Sequence, residues 1–285
     1  MAKQPYLVGL VGTGVGPSLT PALHMAEGKA QGLDYVYKTI DLQEVGVAPE
    51  RIGEVLAWAR SLGFDALNIT HPCKRVVIEH LDDVDAVAAD LGAVNTVVFE
   101  NGRAIGYNTD TTGFALGFNE GLPGAAIDNV VLVGAGGAGA AVGDALLRLG
   151  AEHLTIVDVD IERATALAHE LAARRPDARV DASSPDKLPV LLPASDGIVH
   201  CTPTGMAEHP GMPFPAELLH PGLWVSDIVY RPLDTALLRS AVQAGCRVCD
   251  GGHMAVHQAT EAFALITGIT PDTDRMSRHF RRLVG

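Results

Sequence analysis

Residues 129–139 read Asn-Val-Val-Leu-Val-Gly-Ala-Gly-Gly-Ala-Gly, an apolar strand running directly into Gly134-x-Gly136-x-x-Gly139. An alanine-rich helix follows, then a second apolar stretch at 153–157 that ends at Asp158. Glycine pairs are common in loops, so the spacing alone says little. The order of strand, glycines, helix, strand and acid is what narrows the fold to a mononucleotide-binding βαβ unit, with the acidic residue ~20 positions past the glycines. In such a unit Gly134 allows the tight turn and Gly136 lets main chain approach a pyrophosphate. Gly139 lets the helix pack close to the strand. Gly137 and Ala138 open that helix, whose unpaired N–H groups and partial positive charge suit phosphate. The alternative is a glycine-rich crossover that binds no phosphate.

Composition bounds the rest. A length of 285 residues suits two domains or one large one. Aromatics make up only 5%, so a core drawn from the 47% apolar residues is built mostly of Val, Leu, Ile and Ala. The formal net charge of −13 disfavours a nucleic-acid partner, which needs clustered Lys and Arg. It leaves room for a small anionic substrate held by local donors. No apolar run reaches the ~20 residues that span a bilayer. The opening Met-Ala-Lys-Gln-Pro-Tyr shows no signal-peptide pattern. The expectation is a cytoplasmic protein with no membrane contact. Cys246-x-x-Cys249 looks like half a metal or redox motif, but no second Cys or His pair at ligand spacing accompanies it. No metal is expected, and the four cysteines read as thiols of a reducing compartment.

Strand and helix patterns alternate along the chain. Strands are expected at 6–11, 35–40 and 64–69, with helices at 20–31 and 49–62, the second closed by Gly63. Short helices follow at 74–80 and 84–91. Strands at 94–100 and 103–108 flank Asn101-Gly102, a type I′ hairpin signal. A helix over about 110–120 ends at Gly121-Leu-Pro123-Gly124. Past the glycine motif, 197–201 and 223–229 are short, apolar and uncharged inside, as buried parallel strands are. A helix at 234–244, a short strand at 247–249 and helices at 253–267 and 271–283 close the chain. The fold class is therefore α/β with two domains: an N-terminal α/β domain over 1–109 and a dinucleotide-binding domain of Rossmann type over 110–244. Pattern alone leaves open which domain takes the C-terminal helices.

Four polar clusters lie where the first domain's strands turn into helices or hairpins, the place where open α/β sheets bind ligands. They are Ser18-Leu-Thr20-Pro21, Asn68-Ile-Thr70-His71-Pro72-Cys73-Lys74, Gly92-Ala-Val-Asn95-Thr96 and Asn108-Thr109-Asp110. Each has a local explanation. Thr20, Thr70 and Asp110 suit helix caps, and Asn95-Thr96 suits a turn. Capping leaves Ser18 unexplained, and the helix dipole disfavours a cation such as Lys74 at a helix start.

Taken together the clusters resemble one family. Ser-x-Thr, Asn-Ile-Thr-x-Pro-x-Lys, Gly-Ala-Val-Asn-Thr, Tyr-Asn-Thr-Asp, Gly-Ala-Gly-Gly-Ala-Gly, Thr202-Pro-Thr-Gly-Met206, Asp227-Ile-Val-Tyr230 and Met254-x-x-x-Gln258 stand in the order seen in shikimate dehydrogenases and the wider quinate/shikimate group. The resemblance runs from Ser18 to about Gly268. It implies two α/β domains with the active site in the cleft between them, the first completed by about 245–285. It implies NAD(P)-dependent oxidation of a cyclohexane or cyclohexene acid, in the pathway to aromatic amino acids. Ser18 and Thr20 would bind the carboxylate, and Thr70, Asn95 and Gln258 the ring hydroxyls. Lys74 and Asp110 would be the catalytic pair: the cation stabilises developing alkoxide and the two share the proton work. Thr202, Met206, Val229, Gly251 and Met254 would line the nicotinamide side. His71 and His257 flank matched positions and are weaker candidates. A homodimer is left open.

Two departures bear on specificity. Members specific for shikimate often carry Ser-x-Ser at the first motif, whereas Thr20 stands here, as in members that accept quinate. Members using NADP commonly carry Asn-Arg-Thr after the second dinucleotide-domain strand, where this chain has Asp158-Val159-Asp160. A carboxylate there accepts hydrogen bonds from the adenosine ribose and repels a 2′-phosphate. Asp160 is the rival for that role, and Arg163, one turn on, could soften the repulsion. The expectation is an NAD-preferring quinate/shikimate dehydrogenase. The alternatives are an NADP-dependent biosynthetic shikimate dehydrogenase and a catalytically silent, cofactor-sensing binding protein.

Overall fold

The computed structural model describes residues 5–285; the first four residues, part of the opening stretch searched for a leader, lie outside the described residues. The chain divides into two compact units.

The first unit reaches to Thr109 and takes back Gln258–Leu283. In order it holds β1 (Tyr6–Gly12), α1 (Thr20–Ala30), β2 (Tyr35–Asp41), α2 (Ile52–Ser61), β3 (Ala66–Ile69), β4 (Asp83–Val84), α3 (Ala86–Leu91), β5 (Thr96–Glu100) and β6 (Arg103–Tyr107). The strands form one sheet in the order β2-β1-β3-β5-β6-β4. β1 runs parallel to β2 and β3, and β5 is antiparallel to β3 and β6. The β5–β6 turn is the expected one: Asn101 and Gly102 have φ of 52° and 78°, the pair of positive values a type I′ turn requires. Side chains alternate across the sheet. Val8, Leu10, Tyr35, Tyr37 and Val98 share a core with Phe263 and Ile266. Val11, Leu67, Ile69 and Val97 pack in a second core with Ile52, Val55 and Leu56 of α2. The helix expected at 84–91 begins later because Asp85 caps α3, its carboxylate accepting the Val87 N–H at 2.9 Å, and Asp83–Val84 are spent as a strand beside β6.

The second unit spans Asp110–His257. It holds α4 (Thr109–Gly121), β7 (Asn129–Val133), α5 (Gly137–Leu149), β8 (His153–Val157), α6 (Ile161–Arg174), β9 (Arg179–Ser183), α7 (Leu188–Leu191), β10 (Gly197–His200), β11 (Trp224–Asp227), α8 (Ala236–Gln243), β12 (Arg247–Cys249) and the start of α9 (Gly251–Thr267). Its six strands are all parallel, in the order β12-β11-β10-β7-β8-β9. Strand β9 is not among the strands the sequence predicts. Arg-Val-Asp-Ala-Ser is polar and lies at the sheet edge, so it lacks the buried apolar run that marks its neighbours. β12 pairs with β11, so the return to the first unit comes at Gln258 rather than near 245. Three residues with an exposed Arg at one end carry no pattern that names their sheet.

The returning segment is held by apolar and ionic contacts. Phe263 of α9 stacks on Tyr35 with centroids 5.4 Å apart. Ahead of α10 (Thr273–Val284), the fully buried Glu27 carboxylate accepts the Asp272 N–H at 2.9 Å and two Arg275 N–H groups at 2.6 and 2.8 Å. Among the described residues no helix is long and apolar enough to cross a membrane.

Candidate active site

In the first unit four of the five predicted substrate residues gather at one end of the sheet, while Gln258 lies on α9. Ser18, Thr20 and Thr70 follow the carboxyl ends of β1 and β3 and Asn95 precedes β5, and the register sets Asn68 opposite Thr96 and Thr96 opposite Tyr107. The loops after β1 and β3 are knitted together. Thr70 N–H donates to Val11 C=O at 2.9 Å and Thr13 N–H to His71 C=O at 3.1 Å. Gly12 makes this approach feasible, since a Cβ there would lie 2.3 Å from Thr70 Cγ2. Lys74 follows in the same loop, half-buried, and its C=O accepts the Val94 N–H at 2.8 Å, tying it to the Gly92–Asn95 segment.

The capping explanations for Thr20 and Thr70 do not hold. Helix α1 has Leu19 at its N-cap with no side-chain cap, and Ser18 Oγ accepts the Thr20 N–H at 3.3 Å, so the Thr20 hydroxyl is not a cap. After Thr70 only a short 3-10 turn forms, Val76–His80, and its N-cap is Arg75. Lys74 therefore does not begin a helix as expected. Asp110 lies in the first turn of α4, where the dipole favours a carboxylate. It opens the second unit, whereas Lys74 and Gln258 belong to the first.

Asn95 is the best anchored of the set. It is 4% exposed, its Oδ1 accepts the Thr109 N–H at 2.8 Å and the Thr96 hydroxyl at 3.1 Å, and its Nδ2 donates to Thr109 Oγ1 at 2.9 Å. Asn68 Nδ2 donates to Thr96 Oγ1 at 2.9 Å, and the Tyr37 phenol donates to Asn68 Oδ1 at 2.5 Å. The sequence names no ligand contact for Asn68, Thr96 or Tyr37. The available signal was amide and hydroxyl groups inside otherwise apolar strands, where burial demands a partner.

In the second unit the predicted cofactor residues all follow the carboxyl ends of parallel strands. Gly134 has φ of 108°, and a Cβ on Gly139 would lie 1.9 Å from Gly134 C=O, so helix α5 packs on the turn as the motif requires. At Gly136 and Gly137 an added Cβ would meet nothing within 4 Å, and α5 starts at Gly137 with no side-chain cap. Open space in front of free helix N–H groups fits a pyrophosphate. Asp158, 8% exposed, reaches back to this turn: Oδ2 accepts the Ala135 N–H at 2.7 Å and Oδ1 the Asp160 N–H at 2.9 Å. Asp160 instead caps α6, accepting from Glu162 and Arg163 N–H at 3.1 and 3.2 Å, and Arg163 pairs with Asp160 at 3.5 Å. The two rival carboxylates thus have different work.

A buried network flanks Thr202. His200 and Asp227, both side chains fully buried, meet at 3.0 Å through Nδ1 and Oδ1. The other His200 nitrogen meets the Thr202 hydroxyl, while Asp227 Oδ2 accepts from the Thr235 hydroxyl at 2.7 Å and Oδ1 from the Val229 N–H at 3.1 Å. This fixes the segments carrying Thr202 and Val229. Gly251 lies against them, since a Cβ there would fall 2.5 Å from Val229 C=O. Met254 lines a small pocket with Phe114 and Gly251, while Met206 lies on an exposed turn. His257, a weak candidate, bonds Glu120 at 2.6 Å, and that bond holds the Glu120 carboxyl below its usual range. All four cysteines are free and buried, and burial pushes the Cys249 thiol up to about 12. Among the described residues no group of three or more His, Cys, Asp or Glu is placed to hold a metal.

Comparison with known proteins gives this geometry a lineage. Residues 10–97 match the shikimate dehydrogenase substrate-binding domain. Over 285 residues, 100% of this chain and 98% of the relative, the chain is 60% identical to a Streptomyces avermitilis protein named shikimate dehydrogenase (NADP(+)). The chain belongs to the shikimate dehydrogenase family. A Corynebacterium efficiens relative, named quinate/shikimate dehydrogenase (NAD(+)), is 47% identical over 284 residues, 99% of this chain and 100% of the relative. The solved structure of quinate dehydrogenase from Corynebacterium glutamicum in complex with NAD superposes with a TM-score of 0.93 at 44% identity, covering 98% of this chain and 100% of that one. As a member of this family the chain is an oxidoreductase that uses a nicotinamide dinucleotide.

Proposed function

We propose that this shikimate dehydrogenase family member catalyses the reversible oxidation of shikimate at a ring hydroxyl, as an NADP-dependent enzyme of the biosynthetic type. The observation that carries this reading is the 60% identity, over the whole chain, to the relative named for shikimate and NADP, against 47% to the relative named for quinate, shikimate and NAD. When bound, the dinucleotide supplies the hydride chemistry. The chain's own residues do the rest. Ser18 and Thr20 donate hydroxyl hydrogens to the substrate carboxylate, and Thr70, Asn95 and Gln258 hold ring hydroxyls. The Lys74 ammonium stabilises the alkoxide that develops as the proton leaves, and Asp110 bonds the same hydroxyl and shares the proton. Thr202, Met206, Val229, Gly251 and Met254 face the nicotinamide. Gly134, Gly136, Gly137, Ala138 and Gly139 hold the pyrophosphate.

One local observation favours a second reading, an NAD-preferring enzyme that also oxidises quinate. Asp158 is fixed against the glycine turn, where a 2′-phosphate would meet like charge. The residue after it is Val159, 90% exposed, which offers that phosphate no cation, and Arg163 is already paired with Asp160. Initial rates with shikimate and quinate, each with NAD and NADP, decide between them. Shikimate turnover with NADP preferred supports the first reading. NAD preferred, with quinate turned over at millimolar concentration, replaces it by the second. No reduced nicotinamide with any pair leaves only a binding protein.

A further inference from the structure

We propose that Tyr37 is a positioning residue for substrate recognition: through Asn68 and Thr96 its phenol fixes the amide of Asn95 as a hydrogen-bond donor toward a ring hydroxyl of the substrate. This rests on the reading of Asn95 as a substrate contact.

The inference follows from hydrogen-bond direction. Tyr37, Asn68, Thr96, Asn95 and Thr109 are each at most 6% exposed. The main-chain N–H of Thr109 can only donate, and it lies 2.8 Å from Asn95 Oδ1, which settles which end of that amide is oxygen. The Thr96 hydroxyl sends its hydrogen to the same oxygen at 3.1 Å. Its lone pair must then receive a donor, and Asn68 Nδ2 supplies one at 2.9 Å. Asn68 is thereby turned with Oδ1 toward Tyr37, whose phenol donates at 2.5 Å. Burial pushes the Tyr37 phenol well above its ordinary value, so it keeps its proton. Each link admits one orientation because its neighbour has taken the other.

At the far end, Asn95 Nδ2 gives one N–H to Thr109 Oγ1 at 2.9 Å, and its second N–H goes to none of these partners. With Oδ1 occupied, Asn95 meets a ligand as a donor. The sheet order explains the length of the relay. Tyr37 stands on the outermost strand and reaches over β1 to Asn68 on β3, on the face that Val8 and Leu10 share. Removing the phenol oxygen leaves Asn68 Oδ1 without its donor. The Asn68 amide can then reverse, the Thr96 hydroxyl turns away from Asn95, and the Asn95 amide loses one of the three groups that orient it.

The test is steady-state kinetics of Tyr37→Phe. The expected result is a rise of about five- to tenfold in the KM for shikimate, the scale of one oriented hydrogen bond, with kcat and the dinucleotide KM within about twofold of wild type. A shikimate analogue lacking the hydroxyl that Asn95 meets should be bound equally by Tyr37→Phe and wild type, a result that a general loosening of the unit would not give. The Thr96 variants test the same relay if Tyr37→Phe does not fold. Thr96→Ser keeps the hydroxyl and should keep the wild-type shikimate KM, whereas Thr96→Val should reproduce the rise. A wild-type shikimate KM in folded Tyr37→Phe, or equal KM values in the two Thr96 variants, overturns the relay. Asn95→Ala separates the two layers: an unchanged shikimate KM there removes the substrate role of Asn95 itself, whereas a raised KM there with none in Tyr37→Phe removes only the relay.

Discussion

The two sheets present their ligand sides with different material. At the end of the first sheet, buried side chains hold one another: Asn95 is bound by Thr96 and Thr109, and Asn68 by Tyr37. At the end of the second, the turn after β7 is main chain and empty volume, with Gly136 and Gly137 facing open space and an uncapped helix behind them. A hydroxylated ring needs donors and acceptors at several separate fixed points, which placed side chains supply. A pyrophosphate is recognised by a row of N–H groups, which need side chains to be absent. Chemical substitutions should therefore cost most in the polar clusters that follow the first sheet's strands, Asp110 just past β6 among them, and added volume should cost most in the glycine turn of the second unit.

The largest expected effect tests the chemical half of that contrast. Lys74→Ala and Asp110→Asn should each lower kcat by at least ~10²-fold, the usual scale for loss of a general acid–base group. Lys74 is only half-buried and Asn is isosteric with Asp110, so both variants should fold and still bind the dinucleotide. Near-wild-type kcat in either folded variant would remove that residue from the proton chemistry.

Added volume is tested at two glycines two positions apart, Gly139 and Gly137. In Gly139→Ala the new carbon would fall 1.9 Å from Gly134 C=O, so the turn or α5 must move. Overpacking of this kind costs about 1–3 kcal/mol, and the dinucleotide Kd should rise by tenfold or more. In Gly137→Ala the new carbon meets no protein atom within 4 Å, and the Tm should stay at the wild-type value. Equal thermal losses in the two variants would show that the helix, not the close approach, sets the cost.

The contrast also explains what was legible in the sequence. The glycine motif, the I′ turn at Asn101-Gly102 and the parallel core strands were readable because each states a backbone or burial requirement in local sequence. The polar clusters were readable as positions, and the structure gathers those of the first unit at one sheet end. Their connections were not. The bond from Tyr37 to Asn68 links residues 31 positions apart, and that from His200 to Asp227 spans 27, with no periodicity to announce either. Asp158 and Asp160 were rivals because two neighbouring acids look alike until one is seen capping a helix. Strand β9 and the placement of β12 were missed or misassigned because edge strands need no apolar run.

A smaller effect sharpens the distinction between those acids. Asp158→Ala should shift the ratio of kcat/KM for NADP over NAD upward by about tenfold, or 1.4 kcal/mol, by relieving a like-charge contact with the 2′-phosphate. The direction holds whichever cofactor the wild type prefers. Asp160→Ala should leave the ratio alone and cost about 1 kcal/mol of stability through the lost α6 cap. A ratio that moves in Asp160→Ala and not in Asp158→Ala would exchange their roles.

The smallest effect compares Asp158 with a second buried carboxylate, Glu27. Asp158 accepts main-chain N–H groups alone, whereas Glu27 takes Arg275, the Asp272 N–H and the Gln31 amide. Burial pushes the Glu27 carboxyl upward, but these donors, Arg275 foremost, outweigh it, and the group ends below its ordinary value. A carboxyl depressed in the folded state contributes stability above its unfolded pKa and loses it as pH falls through the lower folded value. Because the Arg275 side chain is 36% exposed, solvent screens the pair, and Glu27→Gln should cost only about 1 kcal/mol at pH 7. Urea unfolding of wild type and variant should show that gap constant from neutral pH down to about pH 5 and closing below about pH 4, near the ordinary carboxylate range. The carboxyl of Glu120, also depressed, titrates in both proteins and cancels from the difference. A gap that persists unchanged into the acid range would show that Glu27 holds α10 by packing rather than by charge.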